Sequence, residues 1–400
     1  MPAVTNTHSV TSTTRQRPPL ISGGFDRVSR RRPCRICKHT TWCGFSRDQR
    51  TSICMRVSHG ARGSSHNGGY IFVHPEIATT ITSLNQSPTP PAIPLAPLEI
   101  RDAVFTELIR LSPAAKYRTE LVCGPSGLFA RGLAEQHAFT LGALPPTQDG
   151  RAALARTLNN YVRRKFPDHA KLYGAGVIGI PGFWQEPSGK LHIWKRHNYR
   201  MPILVIPYND AHGLIQACQI RLHEKDIPAG EKKYRWLASP TDPRGTSSGT
   251  PIHFTFSPAL LPPGETVVIT EGRLKAETVV HHRPKARLIA TTGVSCSHDQ
   301  IIEAARPYNA LIAFDSDHRT NRFVCRQLAR LIARRFADST EQKLTTTTTI
   351  LVWEGPKGID EAVLQNARLR IKTISEWYET LKNEPREEVQ RFWNEIGFQP

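Results

Sequence analysis

The chain has 400 residues, room for two or three domains with sizeable cores, and its 39% hydrophobic content excludes a wholly disordered polymer. Lysine and arginine number 53 against 34 acidic residues, a net charge of +19 that calls for a polyanionic partner, either nucleic acid or an anionic membrane surface. No stretch nears the roughly 18–20 consecutive apolar residues of a membrane span. The N-terminus MPAVTNTHSVTSTTRQRPPL lacks the apolar centre of a secretory signal, so a cytoplasmic setting without membrane binding is expected.

Residues 1–33, ending in Arg30-Arg31-Arg32, read as a flexible basic arm. Residues 34–74 form a compact unit holding four of the eight cysteines. Without an export signal, clustered cysteines point to metal rather than to disulfides. Cys34 and Cys37 make a knuckle able to hold tetrahedral Zn²⁺, and Cys54 falls where a zinc ribbon returns to its metal. Cys43, His59 and His74 compete for the fourth place. Cys43 has thiolate chemistry in its favour, and His74 closes the unit in GGYIFVH. A unit this small has too little core to fold alone, so the metal is expected to supply folding free energy.

Residues 75–97 include SPTPPAIPLAP, a proline-rich run that forms neither a helix nor a central strand and reads as a semi-rigid linker. Patterned sequence starts near residue 98, and 98–264 is taken as one subdomain. LEIRDAVFTELIRL has helical spacing, and PILVIPYNDAHGLIQACQIRL (202–222) reads as two strands joined by a turn at Asn209-Asp210. Over 265–365, strands at 265–270, 286–292, 310–314 and 349–353 alternate with helices at 298–307 and 321–337, and RLKAETVVHH forms another. In the helix over 321–337, Phe323, Val324, Leu328, Leu331 and Ile332 mark the apolar face. Such alternation predicts βαβ units and a buried parallel sheet. The last segment, 366–400, contains a helical stretch at 374–396.

Open parallel sheets bind ligands beyond the carboxyl ends of their strands. Glu271 directly follows the first of these strands, and Asp315 and Asp317 directly follow the third. Residues two apart on extended chain point the same way, so the two aspartates can face one site, joined by Glu271 if the first and third strands are neighbours. Clustered carboxylates repel one another unless a cation neutralises them, and oxygen ligands without Cys or His suit Mg²⁺ or Mn²⁺. Asp360, in GPKGIDE after the fourth strand, is either a further acidic member or a helix N-cap. Around these acids Arg221, Lys232, Lys233, Arg235, Arg244, Arg273 and Lys275 are candidates for holding nucleotide phosphates and template, with Tyr234 and Trp236 interleaved as stacking surfaces.

Glu-Gly after one strand and Asp-x-Asp after a later one resemble the toprim domain of topoisomerases, bacterial-type primases and old-family nucleases. The resemblance implies Glu271 as general acid/base or metal ligand, and Asp315 and Asp317 as Mg²⁺ ligands. The segment before it, with Pro207, Asp210, Gly213 and Arg221, then Lys233-Tyr234, Ser239-Pro240 and Phe254, resembles the hairpin and "KYLNSPET" run of bacterial replicative primases. YRTELVCGPSGLFARGLAEQHAFTLGALP (117–145) resembles their "YLxxRGL…LGYAP" helix pair. The run Ile178-Gly179-Ile180-Pro181-Gly182-Phe183 is similar to one in toprim-containing primase-like proteins of plasmids, phages and integrated elements. The implied architecture is α/β (α+β overall): a zinc ribbon, then a primase-like core whose toprim domain has a roughly four-stranded parallel sheet flanked by helices. The implied activity is synthesis of short RNA primers from NTPs on single-stranded DNA, with a replicative helicase as candidate partner. A toprim nuclease and a non-catalytic DNA-binding replication factor are the alternatives. One departure from replicative primases is that residues 291–295, TTGVS, carry no extra acid between the two toprim motifs.

Overall fold

The structure, a computed structural model, describes residues 20–21, 25–29, 32–40, 43–46, 49–55, 57, 63–64, 70–74, 93–227 and 232–399. Most of the basic arm, residues 75–92 of the linker and His59 lie outside the described residues. The chain divides into two compact units, Met1–Thr89 and Pro90–Pro400.

The first unit is an antiparallel sheet of β1 (Leu20–Ile21), β2 (Phe25–Arg27), β3 (Gly44–Ser46), β4 (Thr51–Cys54), β5 (Gly63–Ser64) and β6 (Tyr70–Val73), in the order β1-β2-β3-β4-β6-β5. Among the described residues its buried core is Val28, Cys34, Cys43, Phe45, Cys54 and Phe72, half of it cysteine. So little apolar area cannot offset the entropy of ordering the chain, and cross-linking the cysteines through a metal is the available remedy.

The second unit opens with α1 (Leu98–Leu111), which buries Ile100, Val104, Phe105 and Leu108 at helical spacing. The segment resembling a helix pair is less regular than that: a π turn at Arg118–Val122, a 3₁₀ turn at Phe129–Arg131 and a single turn of α-helix, α2 (His137–Thr140). Gly124-Pro125-Ser126-Gly127 interrupts it. A Cβ on Gly127 would come within 2.4 Å of the Val122 carbonyl oxygen, so the chain closes on itself there too tightly for a continuous helix. After β7 (Gly142–Leu144) come α3 (Gln148–Lys165), α4 (Pro167–Tyr173), the hairpin β8 (Phe183–Gln185) and β9 (Leu191–Ile193), then β10 (Ile203–Asn209), β11 (Ile215–Arg221) and β12 (Tyr234–Trp236). Strands β12-β11-β10-β7 form an antiparallel sheet. One face, with Val205, Cys218, Ile220 and Leu222, packs with α1 and α3 residues in one core; the other, with Leu204, Ile206 and Tyr208, packs with Leu274 in another.

The third layer is built from β13 (His253–Phe254), β14 (Thr266–Glu271), α5 (Arg273–His282), β15 (Leu288–Thr291), α6 (His298–Ala305), β16 (Asn309–Ala313), α7 (Arg322–Glu341), β17 (Thr348–Val352), α8 (Ile359–Leu364), β18 (Arg370–Lys372), α9 (Ile374–Glu379) and α10 (Asn383–Ile396). The sheet order is β13-β15-β14-β16-β17-β18. The central four strands are parallel, as the alternation predicts. The edges differ: β13 and β18 pair antiparallel, making six strands rather than four and drawing residues on both sides of 265–365 into the sheet. Within residues 366–400, Ile374, Trp377, Val389, Phe392 and Trp393 are buried in the same core as β14 and α7. On α7 the buried face is Cys325, Leu328, Leu331 and Ile332. Phe323 is 38% exposed, since it lies in the first turn, where the Asn321 side chain caps the helix by accepting the Phe323 N–H at 3.1 Å.

Candidate functional site

Strands β14 and β16 are direct neighbours, with Thr270 opposite Ala313. That register places Glu271, the last residue of β14, beside the turn that follows β16. The Asp315 main-chain N–H donates to Glu271 Oε1 at 3.3 Å. Gly272 takes φ +80°, which a side chain would strain, and lets α5 start at once after the glutamate. Burial first, then the carboxylates of Asp315 and Asp317, push the Glu271 carboxyl up to about 7.

Asp315 starts a 3₁₀ turn, Ser316–Arg319, that is tied to the loop after β17 by Ser316 N–H to the Lys357 carbonyl at 2.9 Å. Lys275 of α5 pairs with Asp315. Lys357 Nζ lies 3.0 Å from Asp317 Oδ2, and that contact raises the lysine. Asp317 Oδ1 is buried with no hydrogen-bond partner among the described residues. Asp360 is the second residue of α8, with Gly358 at the N-cap, so the capping role does not fall to it. It is 5% exposed, burial pushes its carboxyl up, and its Oδ1 too has no hydrogen-bond partner among the described residues. A Cβ on Gly358 would lie 2.3 Å from that oxygen, so only glycine fits beside it. These carboxylates share one site but stand apart. Among the described residues, the four cysteines are the one set of three or more potential ligands drawn within 4.8 Å of one another. Asp317 Oδ1 and Asp360 Oδ1 are each left to be satisfied by something other than the described side chains, and hard carboxylate oxygens are the donor type that suits a divalent cation.

The basic candidates divide. Arg221 on β11 is 6% exposed, and its Nε has no hydrogen-bond partner among the described residues. Burial lowers it, and the nearby Arg131 adds to that. Sequence reasoning missed Arg131, although it stands within the Ala130-Arg131-Gly132-Leu133 part of the primase-like motif. Arg131 Nε is also buried without a hydrogen-bond partner, and its Nη1 lies 3.8 Å from Asp360 Oδ2. Arg131 therefore adjoins Asp360, and Arg221 lies near Arg131. Arg273 does not join them: it bonds to the Pro207 carbonyl and pairs with Glu277 at 3.0 Å, tying α5 to β10. Lys233 pairs with Glu224 at 2.7 Å, and Lys232 is exposed. Tyr234 and Trp236 are half-buried against the core around Tyr208, with the Trp236 and Tyr208 rings 4.9 Å apart. Arg235 alternates to the opposite face of β12. Arg244 bonds to Gln185 and to the Tyr173 carbonyl.

In the first unit, Cys34 and Cys37 sit in a turn closed by Lys38 N–H to the Cys34 carbonyl, with Lys38 at φ +59°. Cys43 precedes β3 and Cys54 ends β4. All four Sγ atoms lie within 4.8 Å, and Cys37 Sγ is 3.6 Å from Cys43 Sγ. That is close to the roughly 3.7 Å between ligands of a tetrahedral centre with ~2.3 Å bonds. Cys43 thus takes the fourth place. His74 instead has its Nε2 2.9 Å from Ser52 Oγ. Main-chain N–H groups of Met55 and Val57 donate to Cys43 and Cys54 sulfur. Burial pushes Cys34 up, and the Cys54 thiol, then burial, pushes Cys43 up, so four thiolates at this spacing require a cation.

No family model matches the chain, and no curated protein does. Among solved structures, a DNA primase domain from Pseudomonas aeruginosa is similar with a TM-score of 0.47 at 15% identity, covering 76% of this chain and 97% of that one. The DnaG primase catalytic domain bound to ssDNA gives 0.44 at 14%, covering 76% and 97%. The zinc-binding and RNA polymerase domains of Aquifex aeolicus primase give 0.43 at 14%, covering 93% and 84%. Likeness at this distance does not by itself assign an activity.

Proposed function

We propose that the chain is a primase-like nucleotidyltransferase that makes short RNA primers on single-stranded DNA. The observation that carries this reading is the gathering of Glu271, Asp315 and Asp317 at the ends of two neighbouring strands, with the half-buried Arg131 beside Asp360 and the buried Arg221 near Arg131. Phosphoryl transfer needs charge neutralised on the attacking and leaving oxygens, and bound Mg²⁺ or Mn²⁺ would supply that. Asp315, Asp317 and Asp360 are the residues to hold the metal. Glu271, held near 7 by burial, is the group suited to move a proton from a 3′-hydroxyl at neutral pH. Arg131 and Arg221 would hold an incoming triphosphate, and Lys275 and Lys357, paired with Asp315 and Asp317, would balance the charge of the acids before substrate arrives. The four-cysteine site would take Zn²⁺ and make a ribbon that engages the template. A replicative helicase as partner, and replication of phage or mobile-element DNA as setting, belong to the same proposal.

A strand-cleaving nuclease would use the same acids. The paired guanidiniums favour synthesis, because cleavage does not call for a triphosphate cradle. Labelled NTPs, single-stranded DNA and Mg²⁺ or Mn²⁺ provide the test. Oligoribonucleotide formation that Asp315→Asn abolishes is expected. DNA degradation without synthesis would transfer the site to the nuclease reading, and neither product would leave a DNA-binding factor.

A further inference from the structure

The turn that carries Asp315 and Asp317 is fastened on two sides. On one side, Ser316 N–H donates to the Lys357 carbonyl at 2.9 Å, and Ser316 Oγ to the Pro356 carbonyl at 3.1 Å. Arg319 adds a bond to the Trp353 carbonyl at 3.0 Å and an ion pair with Glu354 at 2.7 Å. All of these partners follow β17. On the other side stands the C-terminal segment. Lys382 N–H donates to the Arg319 carbonyl at 3.3 Å. His318, inside the turn, is buried, and its ring lies 6.2 Å from that of the buried Trp377 on α9.

The His318 ring has a defined bond to make. Its Nδ1 is 3.0 Å from the Asp315 carbonyl oxygen. A carbonyl only accepts, so Nδ1 carries a hydrogen and donates it. The His318 main-chain N–H donates to the same oxygen at 3.1 Å. Two donors from one residue thus fix the backbone between the two carboxylates. Histidine is a costly choice if filling space were its whole purpose, since leucine would pack there without polar atoms. Its Nε2 is buried with no hydrogen-bond partner among the described residues, and so is Nε1 of Trp377. In this tautomer the first is an acceptor and the second a donor, on neighbouring rings.

Trp377 is itself held firmly. A capping box of Thr373 and Glu376 fixes the start of α9. The Trp377 ring lies 6.3 Å from that of Trp393 on α10, whose Nε1–H donates to the Ala329 carbonyl of α7 at 3.4 Å. Arg326 of α7 pairs with Glu388 of α10 at 2.7 Å. The contacts therefore close a ring: α7 begins at Arg322, just after the acidic turn, holds α10, and α10 with α9 returns to the turn through Trp377.

We propose that His318 is a positioning residue, holding the Asp315 carbonyl from a seat that Trp377 provides, so that α9 and α10 support the carboxylate site through the turn. The role rests on the reading of Asp315 and Asp317 as metal ligands. The Nε2 acceptor and the Trp377 Nε1–H donor complete each other, directly or through one buried water. Groups that orient ligands change metal affinity by about 10- to 100-fold when they are lost.

Hydrogen exchange on the full chain, free of metal and nucleotide, tests the clamp, and Mn²⁺ binding followed by electron paramagnetic resonance tests its consequence. His318→Leu fills the seat but has no donor. It should exchange about tenfold faster over 314–321 and bind Mn²⁺ about tenfold more weakly, with exchange over 266–271 unchanged. His318→Asn, whose amide N–H can stand in for Nδ1–H, should restore both. Trp377→Phe keeps a ring in the core and removes the donor, and should loosen 314–321 in the same direction. Unchanged exchange over 314–321 in His318→Leu and Trp377→Phe would overturn the proposal. So would faster exchange spread evenly over the second unit, the mark of a residue that only fills the core. A wild type that binds no Mn²⁺, with His318→Leu still loosening the turn, would count against the metal reading and for the clamp.

Discussion

The main-chain N–H of Asp315 donates to the side chain of Glu271 at 3.3 Å, locking together the ends of two neighbouring parallel strands. The glutamate is half-buried and stands near two aspartates. A carboxylate so placed costs stability that a bound cation returns. Mg²⁺ or Mn²⁺ should therefore raise the melting temperature of the wild-type chain. In Asp315→Asn and Asp317→Asn that rise should shrink or vanish. Glu271→Gln should keep the fold and reduce primer synthesis by about 10²-fold or more, the share general acid–base groups typically contribute. Unchanged synthesis in Glu271→Gln would remove it from the chemistry.

Arg131 and Arg273, the first residue of α5, should fail in different ways. Arg131→Ala removes a guanidinium that adjoins Asp360 and bonds to nothing else at its Nε. It should raise KM for NTP and lower kcat/KM by about 10- to 100-fold, which corresponds to roughly 1.4–2.7 kcal/mol, with the melting temperature maintained. Arg273→Ala strands Glu277 and the Pro207 carbonyl in the interior. Breaking a buried pair from one side costs about 3–5 kcal/mol, so this variant should unfold at lower denaturant. Steady-state kinetics beside denaturant titration separates the two.

How much of this was open to reading from the residues varies with the range of the interaction. Buried parallel strands are short β-branched runs, and ETVVIT and ALIAF announce themselves locally. That those two strands are neighbours is a long-range fact that no local pattern encodes, yet it alone brings Glu271 to Asp315. Arg273 and Lys275 look alike in sequence, but two residues apart on a helix they point to different sides, one into the β10 interface and one onto Asp315. Arg131 lies in a stretch of short irregular turns without periodicity, so only its place in the Arg-Gly-Leu of the primase-like motif marks it. The edge strands β13 and β18 were missed for a related reason: two or three residues carry no alternation to detect.

Acid should destabilise the second unit earlier than carboxylate protonation would explain. His253 and His298 are buried, and burial lowers each from 6.5 to about 4. His253 Nδ1 accepts the Asn209 N–H at 3.0 Å, so a second proton there would break that bond. His298 Nε2 lies 2.6 Å from the Val294 carbonyl, with Arg330 and Arg334 opposing a further charge. Between pH 6.5 and 4 the unfolded chain binds protons that the folded one does not, so stability falls as pH falls through that window. Melting temperatures from pH 7.5 to 4.5 should decline across it, and His298→Gln should flatten the slope. A flat profile in the wild type would refute the neutral, buried imidazoles.

Metal removal should unfold the first unit and spare the second. Among the described residues, three of the six buried core residues there are cysteines, so without a cation the four thiols at this spacing neither ionise together nor pack as an apolar core. Purified protein should contain about one equivalent of zinc, as expected of a four-thiolate tetrahedral site. Cys43→Ser should lose most of it, since serine offers a poor ligand at the fourth corner. His74→Ala should keep it, because His74 faces Ser52 rather than the sulfurs. Chelation should expose residues 34–74 to limited proteolysis while the melting transition of Pro90–Pro400 stays in place. If His74→Ala loses the metal and Cys43→Ser retains it, the histidine is the fourth ligand after all. Less than about half an equivalent in the wild type would remove the ribbon reading itself, because a structural four-cysteine site binds zinc too tightly at neutral pH to be left largely empty.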